Sequence, residues 1–122
     1  MTEAPQSIGQ EQTIASAEQL MRQLDVRHLP VLHGGRLVGI LSQRDVQLIH
    51  TLKDADPARV LVEEAMSQAP YRVAPTEPLG RVASEMATNK YGAALVMDGS
   101  RLVGVFTTVD ALKILAEELS DA

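Results

Sequence analysis

The period of the apolar positions changes several times along the chain, and each change marks an element. Ile14, Ala17, Leu20, Met21 and Leu24 recur at three- and four-residue intervals, the spacing of a helix with one buried stripe. Val26 to His33 is β-like, with Pro30 expected at the strand start or on an edge because it has no N–H for a ladder. Gly34-Gly35 supplies the positive φ angles of a two-residue hairpin turn, and Arg36 to Leu41 is the return strand. Its near-continuous apolar run predicts burial on both faces. Ser42 then caps a helix over 45–52. A polar linker from Lys53 to Asp56 leads to a short segment whose Val60, Val62, Ala65 and Met66 cover one side before Pro70 breaks it.

The series then starts again. Tyr71-Arg72-Val73 is extended, and 78–89 is a helix with Leu79, Val82, Ala83 and Met86 inward. Gly92 to Met97 and Arg101 to Phe106 are strands about the turn Asp98-Gly99-Ser100. The last helix runs from Asp110 to about Leu119, with Leu112, Leu115 and Leu119 on one side. Gly34-Gly35-Arg36-Leu37-Val38-Gly39-Ile40-Leu41-Ser42 and Asp45 reappear as Gly99-Ser100-Arg101-Leu102-Val103-Gly104-Val105-Phe106-Thr107 and Asp110, an offset of 65 positions (110 minus 45). The register holds upstream, where Met1 falls on Met66, Pro5 on Pro70, Met21 on Met86 and Val31 on Val96, and downstream, where Ile49 falls on Ile114. Similarity at a fixed period means a duplicated supersecondary unit. Each copy reads strand–helix–strand–strand–helix, and two copies form an α+β domain with internal pseudo-twofold symmetry. The expected division is 1–57 for the first motif with its linker and 58–122 for the second.

Composition narrows the function. The 122 residues suit one modest core, and two units of about 60 residues would each be marginal alone. The net charge of −5 and the absence of a basic run argue against nucleic-acid binding. With no cysteine there is no disulfide or thiol chemistry. No apolar run is long enough to span a bilayer and no signal sequence is visible, so a cytoplasmic protein without membrane association is the expectation.

Two places could carry chemistry. Ser42-x-x-Asp45 and Thr107-x-x-Asp110 have the form of capping boxes. The same geometry can serve a ligand, since a helix start attracts phosphate and a carboxylate there can accept from a ribose diol. Arg27 and His28 precede the first hairpin, and the planar guanidinium suits phosphate. Their counterparts in the second copy are Gly92 and Ala93, so the copies differ where cationic ligands could stand. None of His28, His33 and His50 has zinc-site spacing, so no metal is expected. No nucleophile–base pair, P-loop or dinucleotide-binding glycine motif occurs, and an enzyme is not expected.

The strings Val26-Arg27-His28-Leu29-Pro30-Val31 and Gly34 through Asp45, with a second copy from Met66-Ser67 through Asp110, resemble the cystathionine-β-synthase (CBS) domain. The resemblance covers nearly the whole chain. It implies a tandem pair, a Bateman module: a non-catalytic regulatory sensor that binds an adenine nucleotide, or S-adenosylmethionine, between its halves. Carried over position by position, it implies a favoured site of Gln12, Ala17, Val26, Arg27, His28, Val105, Thr107 and Asp110. A weaker site takes Ile40, Ser42, Arg44, Asp45, Val82, Tyr91, Gly92 and Ala93. No cofactor is required. The implied partners are an adenosine-containing small molecule, a second copy of the chain, and an effector protein. Empty clefts serving only dimerisation, or a metal or thioether ligand held through His28, are the alternatives. The homodimer is expected to pack through Leu20, Met21, Met86, Leu112 and Leu115.

Overall fold

The computed structural model describes residues 2–3 and 5–120. Met1, which the repeat register places on Met66, lies outside them. In chain order the elements are β1 (Thr2–Glu3), β2 (Ile8–Gly9), α1 (Ile14–Leu24), β3 (His28–His33), β4 (Arg36–Ser42) and α2 (Gln43–Thr51). There follow α3 (Val62–Ala65), β5 (Arg72–Val73), α4 (Leu79–Asn89), β6 (Ala93–Asp98), β7 (Arg101–Thr107) and α5 (Thr108–Ser120). They divide into two compact units, one of residues 6–70 and one of residues 1–5 with 71–122. The α+β class and the repeated β-α-β-β-α order are those read from the sequence.

In the 6–70 unit the sheet order is β2-β3-β4, with β2 parallel and β4 antiparallel to β3. The hairpin turns on Gly34 and Gly35, whose φ of 58° and 79° lie where only glycine sits without strain. Helix α1 starts at Thr13, whose Oγ1 accepts from the Ser16 N–H at 3.2 Å, and ends on Asp25 in the left-handed region. Its stripe Ile14, Ala17 and Met21 joins Leu29, Val31, Leu41, Val46, Ile49 and Val62 in one buried cluster. Met66-Ser67 lies along β4, where the Ile40 N–H donates to the Ser67 carbonyl at 3.0 Å and the Ser67 N–H returns the bond at 2.9 Å. Only glycine fits beside it: a Cβ on Gly39 would stand 2.5 Å from the Ser67 carbonyl oxygen.

In the other unit the order is β1-β7-β6-β5. Thr2 pairs with Val105 there as Ser67 pairs with Ile40 in the first, a match in repeat register. The segment preceding each repeat therefore edges the sheet that contains the other. One buried cluster of this unit gathers Val82, Met86, Ala94 and Phe106, with Ala111 packed against it, and Leu95, Val96 and Val105 are buried on its strands.

Four expectations change. Pro30 is fully buried in central strand β3, yet β2 pairs only with Val31 and Leu32, so no partner there asks Pro30 for a proton. Its counterpart Leu95 does donate, to the Tyr71 carbonyl at 2.8 Å. Strand β4 alternates buried residues (Leu37, Gly39, Leu41) with half-buried ones and does not bury both faces fully. In the second unit Leu79, at the first position of α4, is exposed, not inward. The side of α5 that carries Leu112, Leu115 and Leu119 is exposed, and that helix packs through Ala111. Met21 and Met86 are buried in their own units and present nothing to a second copy. No helix among the described residues is long and apolar enough to cross a membrane.

Candidate functional site

Each hairpin delivers its return strand directly into a helix, and both junctions carry a hydroxyl and a carboxylate. At the first, the Ser42 N–H donates to Asp45 Oδ2 at 2.8 Å and the Asp45 N–H donates to Ser42 Oγ at 3.1 Å. At the second, the Thr107 N–H and hydroxyl donate to Asp110 Oδ2 at 2.9 and 3.1 Å, and the Asp110 N–H donates to Thr107 Oγ1 at 3.3 Å. These are reciprocal capping boxes, and all four side chains are half-buried. The cap fixes each carboxylate at the positive end of a helix, so it is oriented before any ligand arrives.

The strand before each hairpin brings its first residues to the same junction. His28 stands opposite Ser42 in the β3–β4 register, and the Gln43 N–H donates to the Arg27 carbonyl at 2.8 Å. Ala93 stands opposite Thr107, and the Thr108 N–H donates to the Gly92 carbonyl at 3.2 Å. The 6–70 unit thus gathers Arg27, His28, Ser42 and Asp45 at one end of its sheet, whereas Gly92, Ala93, Thr107 and Asp110 occupy that end in the other. Burial lowers the His28 pKa, with the Asp45 carboxylate pulling it up and the Arg27 guanidinium pushing it down. His28 is therefore held toward neutrality. The Arg27 and Arg44 side chains are exposed, and no carboxylate pairs with either among the described residues.

The remaining expected residues are more dispersed. Ala17 and Val82, equivalent in the repeat, are buried in the cores of their own units. Gln12 is exposed, and its Oε1 accepts from the Gly9 N–H at 2.8 Å. Val26 is half-buried after the turn that ends α1, Ile40 is half-buried on β4, and Val105 is buried on β7. Tyr91 stacks on Tyr71 with ring centroids 4.9 Å apart.

A pocket of about 370 Å3 opens in the 6–70 unit between the end of α1 and the start of α2. Arg22, Arg27, Gln43 and Gln47 line it together with the carboxylates Glu18 and Asp25, over Met21 and Val46. Sequence reasoning found Arg27 but missed Arg22, Gln43 and Gln47, because polar residues on an exposed helix face leave no periodic signal. No group of three or more His, Cys, Asp or Glu able to hold a metal comes together among the described residues.

A duplicated β-α-β-β-α unit with a hydroxyl–carboxylate cap after each hairpin is the class that fold and site define. A family model described as CBS domain matches residues 1–48 and 62–117. The chain belongs to the CBS domain family, as a tandem pair. It is 31% identical over 110 residues to the CBS domain-containing protein YhcV of Bacillus subtilis, covering 90% of this chain and 78% of that protein. It is also 31% identical over 105 residues to the A-adding tRNA nucleotidyltransferase of Geobacter sulfurreducens, covering 84% of this chain but only 11% of that enzyme's length. Among solved structures, an acetoin utilization protein (AcuB) of Vibrio cholerae superposes with a TM-score of 0.85 at 30% identity, covering 98% of this chain and 89% of that one. The CBS domain pair of protein MJ0100, solved with 5′-methylthioadenosine and S-adenosyl-L-methionine, superposes at 0.84 with 22% identity, covering 96% and 93%.

Proposed function

We propose that the chain is a non-catalytic regulatory module that senses an adenine nucleotide and acts on an effector protein. The observation that carries this reading is the pair of capped carboxylates, Asp45 and Asp110, held at helix starts by reciprocal hydrogen bonds. A ribose diol presents two donors to such a carboxylate, and ribose recognition is assigned to Thr107 with Asp110 and, more weakly, to Ser42 with Asp45. Phosphate recognition is assigned to Arg27, with His28 beside it. The MJ0100 complexes hold two adenosine-containing molecules, which is the same ligand chemistry in a protein of the same fold. Pairing of two chains through Leu112 and Leu115, exposed by 63% and 51%, belongs to this reading and would show as a dimer in sedimentation.

Calorimetry with AMP and adenosine tests the assignment. A charge-assisted hydrogen bond is worth about 1.5–3 kcal/mol, so Arg27→Ala weakens AMP roughly tenfold or more. It leaves adenosine nearly unchanged, since adenosine has no phosphate. Asp110→Ala weakens both, because both carry the ribose. Equal loss for AMP and adenosine in Arg27→Ala sinks the phosphate assignment. Loss of binding in Asp45→Ala but not in Asp110→Ala reverses the ranking of the two sites. S-adenosyl-L-methionine in a parallel titration tests the alternative adenosine ligand.

A further inference from the structure

Where α1 and α2 lie side by side at the 370 Å3 pocket, the residues that line it are polar. Glu18, Arg22 and the cap residue Asp25 recur at helical spacing along one face of α1, with Met21 among them. Gln43 and Gln47 do the same on α2, about Val46. Met21 and Val46 are 4% and 1% exposed and form an apolar floor under these polar walls. The Glu18 carboxylate is held in place from the other side, its two oxygens 3.1 and 3.0 Å from His50 Nε2 on α2. Arg22 lies four residues after Glu18 and three before Asp25. No ion pair joins Arg22, Arg27 or Asp25 to any group among the described residues. Charges of both signs therefore line one opening without neutralising each other.

The second copy shows that the fold does not require these groups. At the 65-residue offset Glu18, Arg22, Gln43 and Gln47 become Ala83, Ala87, Thr108 and Leu112, and Arg27 becomes Gly92. Asp25 becomes Lys90, and both stand in the left-handed conformation that ends their helix. Met86 is as deeply buried as its counterpart Met21. The same helices, strands and turn thus form with two alanines, a threonine and a leucine in the place of two charges and two amides. The polar lining belongs to one copy alone and is dispensable for building the unit.

We propose that this pocket binds a free apolar L-α-amino acid. Its lining carries two guanidiniums and two carboxylates. A lone anion meets like charge at Glu18 and Asp25, and a lone cation meets it at Arg22 and Arg27; a zwitterion is complementary to both. Arg22 suits the ligand carboxylate, since its planar fork binds two oxygens at once. Glu18 keeps lone pairs beyond those turned to His50 and suits the ammonium. The ligand side chain lies over Met21 and Val46. The volume falls near the lower end of the roughly 300–1,000 Å3 of small-molecule sites, which suits a ligand of this size. Arg27 is shared with the phosphate assignment, but the proposal stands on Arg22 and Glu18 and does not rest on nucleotide binding.

Calorimetric titration of the full chain with L-leucine, L-methionine and L-valine tests it. Saturable one-to-one binding of at least one is expected, with backbone amide shifts at Gln43 and Gln47. The amide of the amino acid that binds lacks the carboxylate, and its N-acetyl form lacks the ammonium. Each should bind about tenfold more weakly or worse, the loss of one charge-assisted hydrogen bond. Arg22→Ala and Glu18→Ala install the residues that the second copy carries at those positions, so both variants should fold, as melting curves will show. Each should weaken the amino acid about tenfold or more. Absence of binding by all three amino acids overturns the proposal, as does full affinity for either blocked analogue or full affinity in both variants. AMP separates this site from the nucleotide reading. Arg22→Ala should leave AMP affinity unchanged; an equal loss of AMP and amino acid would make the pocket the phosphate end of a nucleotide site and would overturn the proposal as well.

Discussion

Ile14 and Leu79 occupy the same register position of the two repeats, both the first residue of a helix, yet one is fully buried and the other 48% exposed. Truncating each to alanine measures what segment 57–63, which pairs with the start of α1, contributes. Ile14→Ala removes three carbons from water-free packing, worth about 2.4 kcal/mol of transfer at roughly 0.8 kcal/mol per carbon. A cavity term is added because Val62 and Ile49 cannot fully close the gap, so the expected loss is about 3–4 kcal/mol. Leu79→Ala removes the same number of carbons from a half-wet site and leaves no cavity, so about 1 kcal/mol is expected. Both changes improve helix propensity by a few tenths of a kcal/mol, which largely cancels in the comparison. Urea unfolding followed by circular dichroism resolves the difference. At a slope of about 2 kcal/mol per molar, a gap of roughly 2 kcal/mol separates the midpoints by about 1 M. Losses equal within about 0.5 kcal/mol would refute the claim that the first helix start is covered and the second is not.

Three further outcomes are expected. Gly39→Ala places a Cβ 2.5 Å from the Ser67 carbonyl oxygen and 2.7 Å from Met66 Sδ, so it should destabilise by about 1–3 kcal/mol in thermal melts, whereas Gly80→Ala, with nothing within 4 Å, should stabilise by about 1 kcal/mol. Ser42→Ala and Thr107→Ala each remove the hydroxyl of a capping box and should cost about 1 kcal/mol in the same assay. His28 has a lowered pKa in the fold, so below the unfolded value near 6.5 the unfolded chain binds the proton first; stability present above pH 6.5 should fall as the pH drops toward the folded value, and His28→Gln should flatten that slope, with the imidazole titration read by NMR.

The local pattern was legible because its causes are local. The stripe from Ile14 to Met21, the Gly34-Gly35 turn and the two capping boxes each depend on residues within a few positions. They form where periodicity, φ preference and side-chain reach require. What was not legible depends on partners distant in sequence. Pro30 is tolerated in a central strand because β2 begins one residue too late to need its proton, and the length of β2 is not written near Pro30. The exposure of Leu79, which the helical stripe places inward, depends on what lies over the start of α4, and nothing near Leu79 in the sequence sets that. The candidate site divides in the same way. The caps and Arg27 could be read from spacing, whereas the polar rim of Arg22, Gln43 and Gln47 required two helices to be placed side by side.

The duplication supplies an internal control that a single-copy domain lacks. Helices α1 and α4 both run for eleven residues and both bury the residue pair at their fourth and eighth positions: Ala17 and Met21 in one, Val82 and Met86 in the other. The helices therefore agree wherever the inward face meets its own sheet. Among the fully buried positions they part at the first, Ile14 against Leu79, which in the 6–70 unit is covered by the segment 57–63. The hydrogen bonds part at the same place, satisfied at Ile14 and Ala15 and unmet at Leu79 and Gly80 among the described residues. Side-chain exposure and backbone pairing are separate physical quantities, and sequence similarity between the repeats predicts a difference in neither. Their coincidence at one helix start traces both to a single cause, the presence of residues 57–63 over one copy and their absence over the other. A packing defect confined to Leu79 would have left the amides paired, and a frayed helix end would have left Leu79 covered.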